Sequence, residues 1–136
     1  MSAGTYLLAA LLVGVGGALG SAARWGLREL GTHLEERREL HDPAALRPWL
    51  TLCANLAACF LLGMIVARLG STTGGAALAY TMLSVGFCGG LSTLSTAAMD
   101  VVDLFRRGTY ALAVAYVMLT AGTGMGALWL GLVIAA

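Results

Sequence analysis

The chain contains no lysine, and charged residues of both signs fill only 11% of its 136 positions. A protein that grips nucleic acid needs a basic face to neutralise phosphates, so a net charge of +1 resting on eight arginines argues against such a partner. Acids are scarcer still where the chain is apolar: none falls within residues 3–23, 48–67, 69–99 or 108–136. That leaves no carboxylate pair, Ser-His-Asp set or metal cluster within membrane reach, so the sequence does not describe an enzyme. It also disfavours a small proton-coupled exporter of organic cations, which needs an embedded Glu or Asp to exchange protons for substrate. Cys53, Cys59 and Cys88 lie in apolar runs without CxxC spacing or nearby histidines. Neither zinc nor a redox pair is therefore supported, and the cysteines read as small packing residues. His33 and His41 have no further ligand candidates around them and read as surface residues.

What the chain does have is apolar length. Hydrophobic residues make up 59% of it and the mean hydropathy is +0.84. Each of the four uncharged runs is at least as long as the roughly 20 residues a bilayer-spanning helix requires. The expectation is an all-α integral membrane protein, one domain over residues 1–136, with transmembrane helices at about 4–30, 48–68, 76–105 and 109–135. The first run has no basic n-region and exceeds a usual signal-peptide core, so it is expected to stay in the mature chain. Residues 28–47 read as a solvated loop with one interfacial helical turn, ended by Asp42-Pro43, and 70–75 as a short flexible turn between antiparallel helices.

The stretch Gly86-Phe87-Cys88-Gly89-Gly90-Leu91-Ser92-Thr93-Leu94-Ser95-Thr96 organises the rest. Three glycines in five positions weaken a helix by about 1 kcal/mol each relative to alanine, which predicts a helix break over 86–96. Irregular backbone at membrane depth survives only where protein or a cavity covers it. A break frees carbonyls and N–H groups, and four hydroxyls add donors that can turn toward an ion or water. The alternative is a close helix-packing seam of small residues, common in membrane bundles.

Other polar residues are few. Gly16-xxx-Gly20 fits close helix approach, and Arg24 follows on the same helix, where it must snorkel, pair or face water. Asn55 stands alone in helix 2 and must face the bundle, either joining helices or offering its NH₂ donors to a solute. Tyr116, Thr120 and Gly124, at four-residue steps, share one face of helix 4. All of these polar groups can donate hydrogen bonds and none is an acid, which favours an anion as the solute.

At these same residues the chain resembles the Fluc (CrcB) fluoride channels. The resemblance rests on Gly16-Gly17-Ala18-Leu19-Gly20-Ser21-Ala22-Ala23-Arg24-Trp25, on Thr51-Leu52-Cys53-Ala54-Asn55, on the 86–96 stretch and on Tyr116-xxx-Thr120-xxx-Gly124, touching all four helices in order. It implies passive fluoride export through an antiparallel dual-topology-type dimer with two pores, formed with itself or with a paralogous subunit. It also implies a structural Na+ at the dimer centre on backbone carbonyls of Gly89 and Ser92. Arg24 would sit near a pore entrance, Asn55 would hydrogen-bond fluoride or its pore neighbours, and Ser95, Thr96, Tyr116 and Thr120 would belong to the ion pathway. The family's helix 3 carries two phenylalanines whose positive ring edges face the ion; here Leu94 and Ala97 hold those places, and Asp100 stands where Glu is usual.

The charges add an orientation. The loops after helices 1 and 3 share one side of the membrane and hold Arg28, Arg37, Arg38, Arg47, Arg106 and Arg107, whereas the other side holds only Arg68. By the positive-inside rule both termini are then extracytoplasmic in the cell membrane. Fixed orientation and missing phenylalanines together predict a subunit that works beside an oppositely oriented paralogue; the alternatives are a homodimer and a non-conducting assembly subunit.

Overall fold

The computed structural model describes residues 3–38 and 47–136, of which 34–38 as backbone only. Helix α1 is Ala3–Arg38, α2 Arg47–Leu69, α3 Gly75–Thr81, α4 Gly89–Leu91, α5 Leu94–Arg106 and α6 Tyr110–Ala135. A π-helical segment, Met82–Cys88, joins α3 to α4. The described residues contain no strand. Four spans are long and apolar enough to cross a bilayer: Ala3–His33, Arg47–Leu69, Gly75–Arg106 and Tyr110–Ala135. The protein is thus an all-helical, multi-pass membrane protein.

Helix α1 continues past Leu30, where a loop was expected. Residues 28–38 contain no proline, and Glu, Leu and Arg are good helix formers. Glu29 and His33 pair at 3.7 Å one turn apart. Gly31 lies directly against the Leu50 side chain, fastening this extension to the start of α2. The remainder of the expected loop, including His41 and Asp42-Pro43, lies outside the described residues.

Lipid tails are as apolar as leucine, so helices in a membrane associate through close van der Waals contact at small residues. Two such seams hold this fold. Gly16 lies on the Met82 carbonyl and Gly86, while Gly20 lies on the Phe87 carbonyl, so α1 and the third span run parallel. A Cβ on Gly20 would come within 2.8 Å of the Leu91 nitrogen, and one on Gly86 within 2.8 Å of the Val13 carbonyl. In the second seam Gly63 faces Gly131, which sets α2 parallel to α6. Arg68 closes it by donating from Nε to the Ala135 carbonyl at 2.5 Å, a cation on an open helix C-terminus.

The two pairs meet around Leu52, Ala97 and Tyr116, with Leu56, Val101 and Leu104 packed against them. Outside this centre the surface is apolar: Leu7, Leu11 and Trp25 on α1 and Met118, Met125 and Trp129 on α6 are all exposed. The third span ends in a Schellman motif. Gly108 takes φ of +74°, its N–H donates to Phe105, and Thr109 donates to Leu104. Phe105 and Tyr110 then meet edge to face at 5.4 Å across the turn.

Candidate functional site

The expected break over 86–96 is confined to Ser92 and Thr93. Gly86, Gly89 and Gly90 keep helical backbone, and Gly86 and Gly90 serve the α1 seam instead. Ser92 (φ −75°, ψ 155°) and Thr93 (φ −151°, ψ 107°) are extended. Gly86 and Gly90 therefore answer to close approach, and the interruption answers to the hydroxyls. Thr93 is an N-cap: its Oγ1 accepts from the Thr96 N–H at 3.2 Å and starts α5. The same Oγ1 donates to Thr96 Oγ1 at 2.9 Å and lies 3.3 Å from Ser95 Oγ.

Two other spans hold the break. Asn55 Oδ1 accepts the Thr93 backbone N–H at 2.8 Å, and Arg24 reaches the Ser92 carbonyl at 3.5 Å. Because a backbone N–H can only donate, the oxygen of the Asn55 amide is fixed on Thr93 and its NH₂ is turned elsewhere. Asn55 is thus a helix joiner through one atom, with two donors left on the other. The Thr93 N–H would serve the Gly89 carbonyl in an unbroken helix; its diversion to Asn55 removes that carbonyl from the ladder. Gly89 itself is exposed.

A second polar group lies in the bundle centre. Tyr116, only 4% exposed, packs on Ala97 and Leu52. Its hydroxyl neighbours Thr120 on α6 and Asp100 on α5 closely enough for electrostatic and hydrogen-bond influence. By donor–acceptor geometry, however, Tyr116 OH, Thr120 Oγ1 and Asp100 Oδ2 are all buried without a partner. The three groups lie near one another with hydrogen-bonding capacity unfilled. Asp100 corrects the expectation of a track holding donors alone. It lies one turn beyond Ala97 on α5 and so shares the face that meets Tyr116.

Ser95 is exposed and Leu94 is 87% exposed, whereas Ala97 is 8% exposed. The two positions that carry phenylalanine in the resembling family therefore face different surroundings here: position 94 faces outward and position 97 faces the subunit core. A cavity of about 390 Å³ lies beside Tyr116 and Asp100, with Arg47 and Arg107 at its polar end. The residue spacing groups Tyr116 with Thr120 and marks Asp100, but shows neither that Asp100 meets them nor that Thr93 caps a helix. A signal for the latter existed, since a threonine directly before an amphipathic run marks a helix start.

This arrangement can be set beside known proteins. The family described as CrcB-like protein, Camphor Resistance (CrcB), matches residues 11–132. The chain belongs to that family. A CrcB relative from Rhizobium etli (strain CFN 42), described as fluoride-specific ion channel FluC, is 33% identical over 133 residues, covering 94% of this chain and 96% of its own. Fluoride-specific ion channel FluC 2 of Rhodococcus jostii (strain RHA1) is 35% identical over 122 residues, covering 89% and 93%. FluC of Bordetella parapertussis is 40% identical over 108 residues, covering 78% and 75%. All three descriptions are of ion channels, and the CrcB match spans both the Ser92–Thr93 break and the Tyr116 cluster.

Proposed function

We propose that this chain is a subunit of a fluoride-specific channel that releases cytoplasmic fluoride passively through the cell membrane. The observation that carries this reading is the pair of buried hydroxyls on α6, Tyr116 and Thr120, left without partners in the bundle centre. A buried polar group without a partner costs on the order of 1–3 kcal/mol, so such groups gain by meeting a transient hydrogen-bonding solute. Fluoride accepts hydrogen bonds and is tightly hydrated, and a selective pore must replace its water with close donors. The NH₂ of Asn55 and the hydroxyls of Ser95 and Thr96 extend the donor set, and Arg24 lies at its edge.

Completion of the pore requires a second subunit in antiparallel orientation. Leu94 and Ser95 are exposed on α5, and the outer faces of α1 and α6 are apolar. The carbonyls of Gly89 and Ser92 suit an oxygen-coordinated Na+ at the dimer centre. Gly89's is released from the helix ladder, and unwound carbonyls are the usual ligands for this ion in broken membrane helices. Ser92's carbonyl is shared with Arg24 at 3.5 Å, a contact too long to compete strongly.

Orientation follows from the arginines. Arg28, Arg47, Arg106 and Arg107 gather at one end of the bundle and Arg68 at the other, which favours the first end inside the cell and the termini outside. A subunit so biased, and lacking both phenylalanines, suits an oppositely inserted paralogue. Liposomes holding the purified chain, alone and with a candidate partner, test the function by fluoride-electrode efflux with chloride as control. Fluoride-selective release is expected; equal fluoride and chloride release, or proton-coupled cation transport, would overturn it.

A further inference from the structure

Cys59 and Cys88 take no part in the break or in the Tyr116 cluster, yet the fold brings them to one depth. The Asn55–Thr93 bond fixes the register between α2 and the third span, and the short turn after Leu69 makes these two spans antiparallel. Cys59 lies four residues beyond Asn55, one helical turn of about 5.4 Å toward the Arg68 end and on the same face of α2. Cys88 lies one turn before Ser92, whose N–H donates to the Cys88 carbonyl at 2.9 Å. That turn also leads toward the Arg68 end. The two sulfurs are close enough to interact electrostatically. Cys88 is 3% exposed, Cys59 is half-buried, and both thiols are free. Space lies beside Cys59, because a Cβ placed on Gly124 of α6 would meet only the Cys59 sulfur, at 3.6 Å.

We propose that Cys59 and Cys88 together bind one soft divalent cation of linear coordination, the mercuric class, and thereby clamp α2 to the third span. Soft ions prefer thiolate ligands. Zinc in a closed site wants four ligands, and the described residues contain no group of three His, Cys, Asp or Glu that could hold a metal. Two sulfurs suffice for a linear site. Charge makes the same choice: no charged residue falls within 48–67 or 69–99, so a net charge at this depth would stand uncompensated and costly. Two thiolates around a divalent ion sum to zero, whereas around a monovalent ion they leave one negative charge. With mercuric chloride, two S–H protons and two chlorides leave, two Hg–S bonds form, and no atom changes oxidation state.

The test uses the purified full-length assembly carrying Cys53→Ala, which removes the exposed third thiol. It is treated with excess mercuric chloride and then washed with millimolar glutathione. Denaturing mass spectrometry is expected to show each subunit heavier by one mercury less two hydrogens, with no free thiol left. An adduct on one thiol exchanges with the wash, whereas the second sulfur of a chelate acts at high local concentration. Retention should therefore exceed that of Cys53→Ala/Cys59→Ala and of Cys53→Ala/Cys88→Ala on the order of a hundredfold. Methylmercury chloride, with a single open position, should wash out of all three proteins. Two mercury atoms per subunit, two free thiols after the wash, equal retention in the single-thiol variants, or mercury linking two subunits would overturn the site. A subunit lighter by two hydrogens and free of mercury, the mass of a disulfide, would do the same. Because the decisive mass is read on a chain that keeps both thiols, a variant that fails to fold leaves the decision in place.

Discussion

Asn55 on α2 accepts the backbone N–H of Thr93 at 2.8 Å, across 38 residues of chain. This one bond links three levels of the protein. It satisfies a donor that the broken third span would leave bare, it frees the Gly89 carbonyl, and it holds the N-cap of α5 in register with α2. The hydroxyl cluster of Thr93, Ser95 and Thr96 then stands beside the amide that holds it.

The double role of Asn55 can be separated by two substitutions. Asn55→Asp keeps an oxygen acceptor for the Thr93 N–H, so the subunit should fold and assemble, but a negative charge beside the donors should stop fluoride efflux from liposomes. Asn55→Ala leaves the N–H unpaired and should lower stability by roughly 1–3 kcal/mol, seen as a lower melting temperature in detergent. Retained flux in a well-folded Asn55→Asp assembly would confine Asn55 to joining helices.

The glycine seam predicts a sharp positional contrast. Gly20→Ala should prevent the close approach of α1 to the third span, because its Cβ meets the backbone at Phe87 and Leu91. Gly26→Ala, six residues on in the same helix, has nothing within 4 Å of its Cβ and should be neutral or stabilise by up to about 1 kcal/mol. Thermal melts by size-exclusion fluorescence check both; equal behaviour of the two would argue that the seam contributes nothing.

Much of this was legible in the residues, for reasons that differ by level. The four spans follow from apolar run length, and the Gly16-xxx-Gly20 contact from spacing, because both are local properties of the chain. The break lies within the expected stretch but is narrower than it, for an instructive reason: Gly86 and Gly90 read locally as helix breakers, but their missing side chains serve a contact with α1 that no local pattern shows. Asp100 stands out in the sequence, but its place beside Tyr116 depends on how α5 meets α6. The extension of α1 to Arg38 depended likewise on Leu50, a residue in another helix.

Positions 94 and 97 should respond oppositely to aromatic replacement. Leu94→Phe places a ring on an exposed surface and should leave the fold unchanged. Ala97→Phe inserts one between Leu52 and Tyr116, and overpacking of that kind typically costs about 1–3 kcal/mol. If the outward position is where a partner completes the pore, Leu94→Phe should also raise fluoride efflux from the chain reconstituted alone. Unchanged melting temperature in Ala97→Phe would show that the core at Tyr116 is looser than its burial implies.

Orientation is open to direct measurement. His33 on the extension of α1 and Ser71 in the turn after α2 lie at opposite ends of the bundle, and both are exposed. Single cysteines at these places, in a background with Cys53, Cys59 and Cys88 replaced by alanine, report which face of the membrane each occupies. Arginine bias predicts that in intact cells an impermeant thiol reagent labels Ser71→Cys and spares His33→Cys, which reacts only after the membrane is opened. Reducing the bias to Arg37 and Arg38 against Arg68, by Arg28→Gln, Arg47→Gln, Arg106→Gln and Arg107→Gln together, should make both sites partly reactive from outside, because the charge in these short flanking segments is what sets insertion. Labelling of both sites from outside in the unaltered arginine background would instead mean that the chain inserts both ways and builds its antiparallel dimer from identical subunits. Strong fluoride flux from the chain alone would then be expected as well, and the need for a paralogous partner would fall with the fixed orientation.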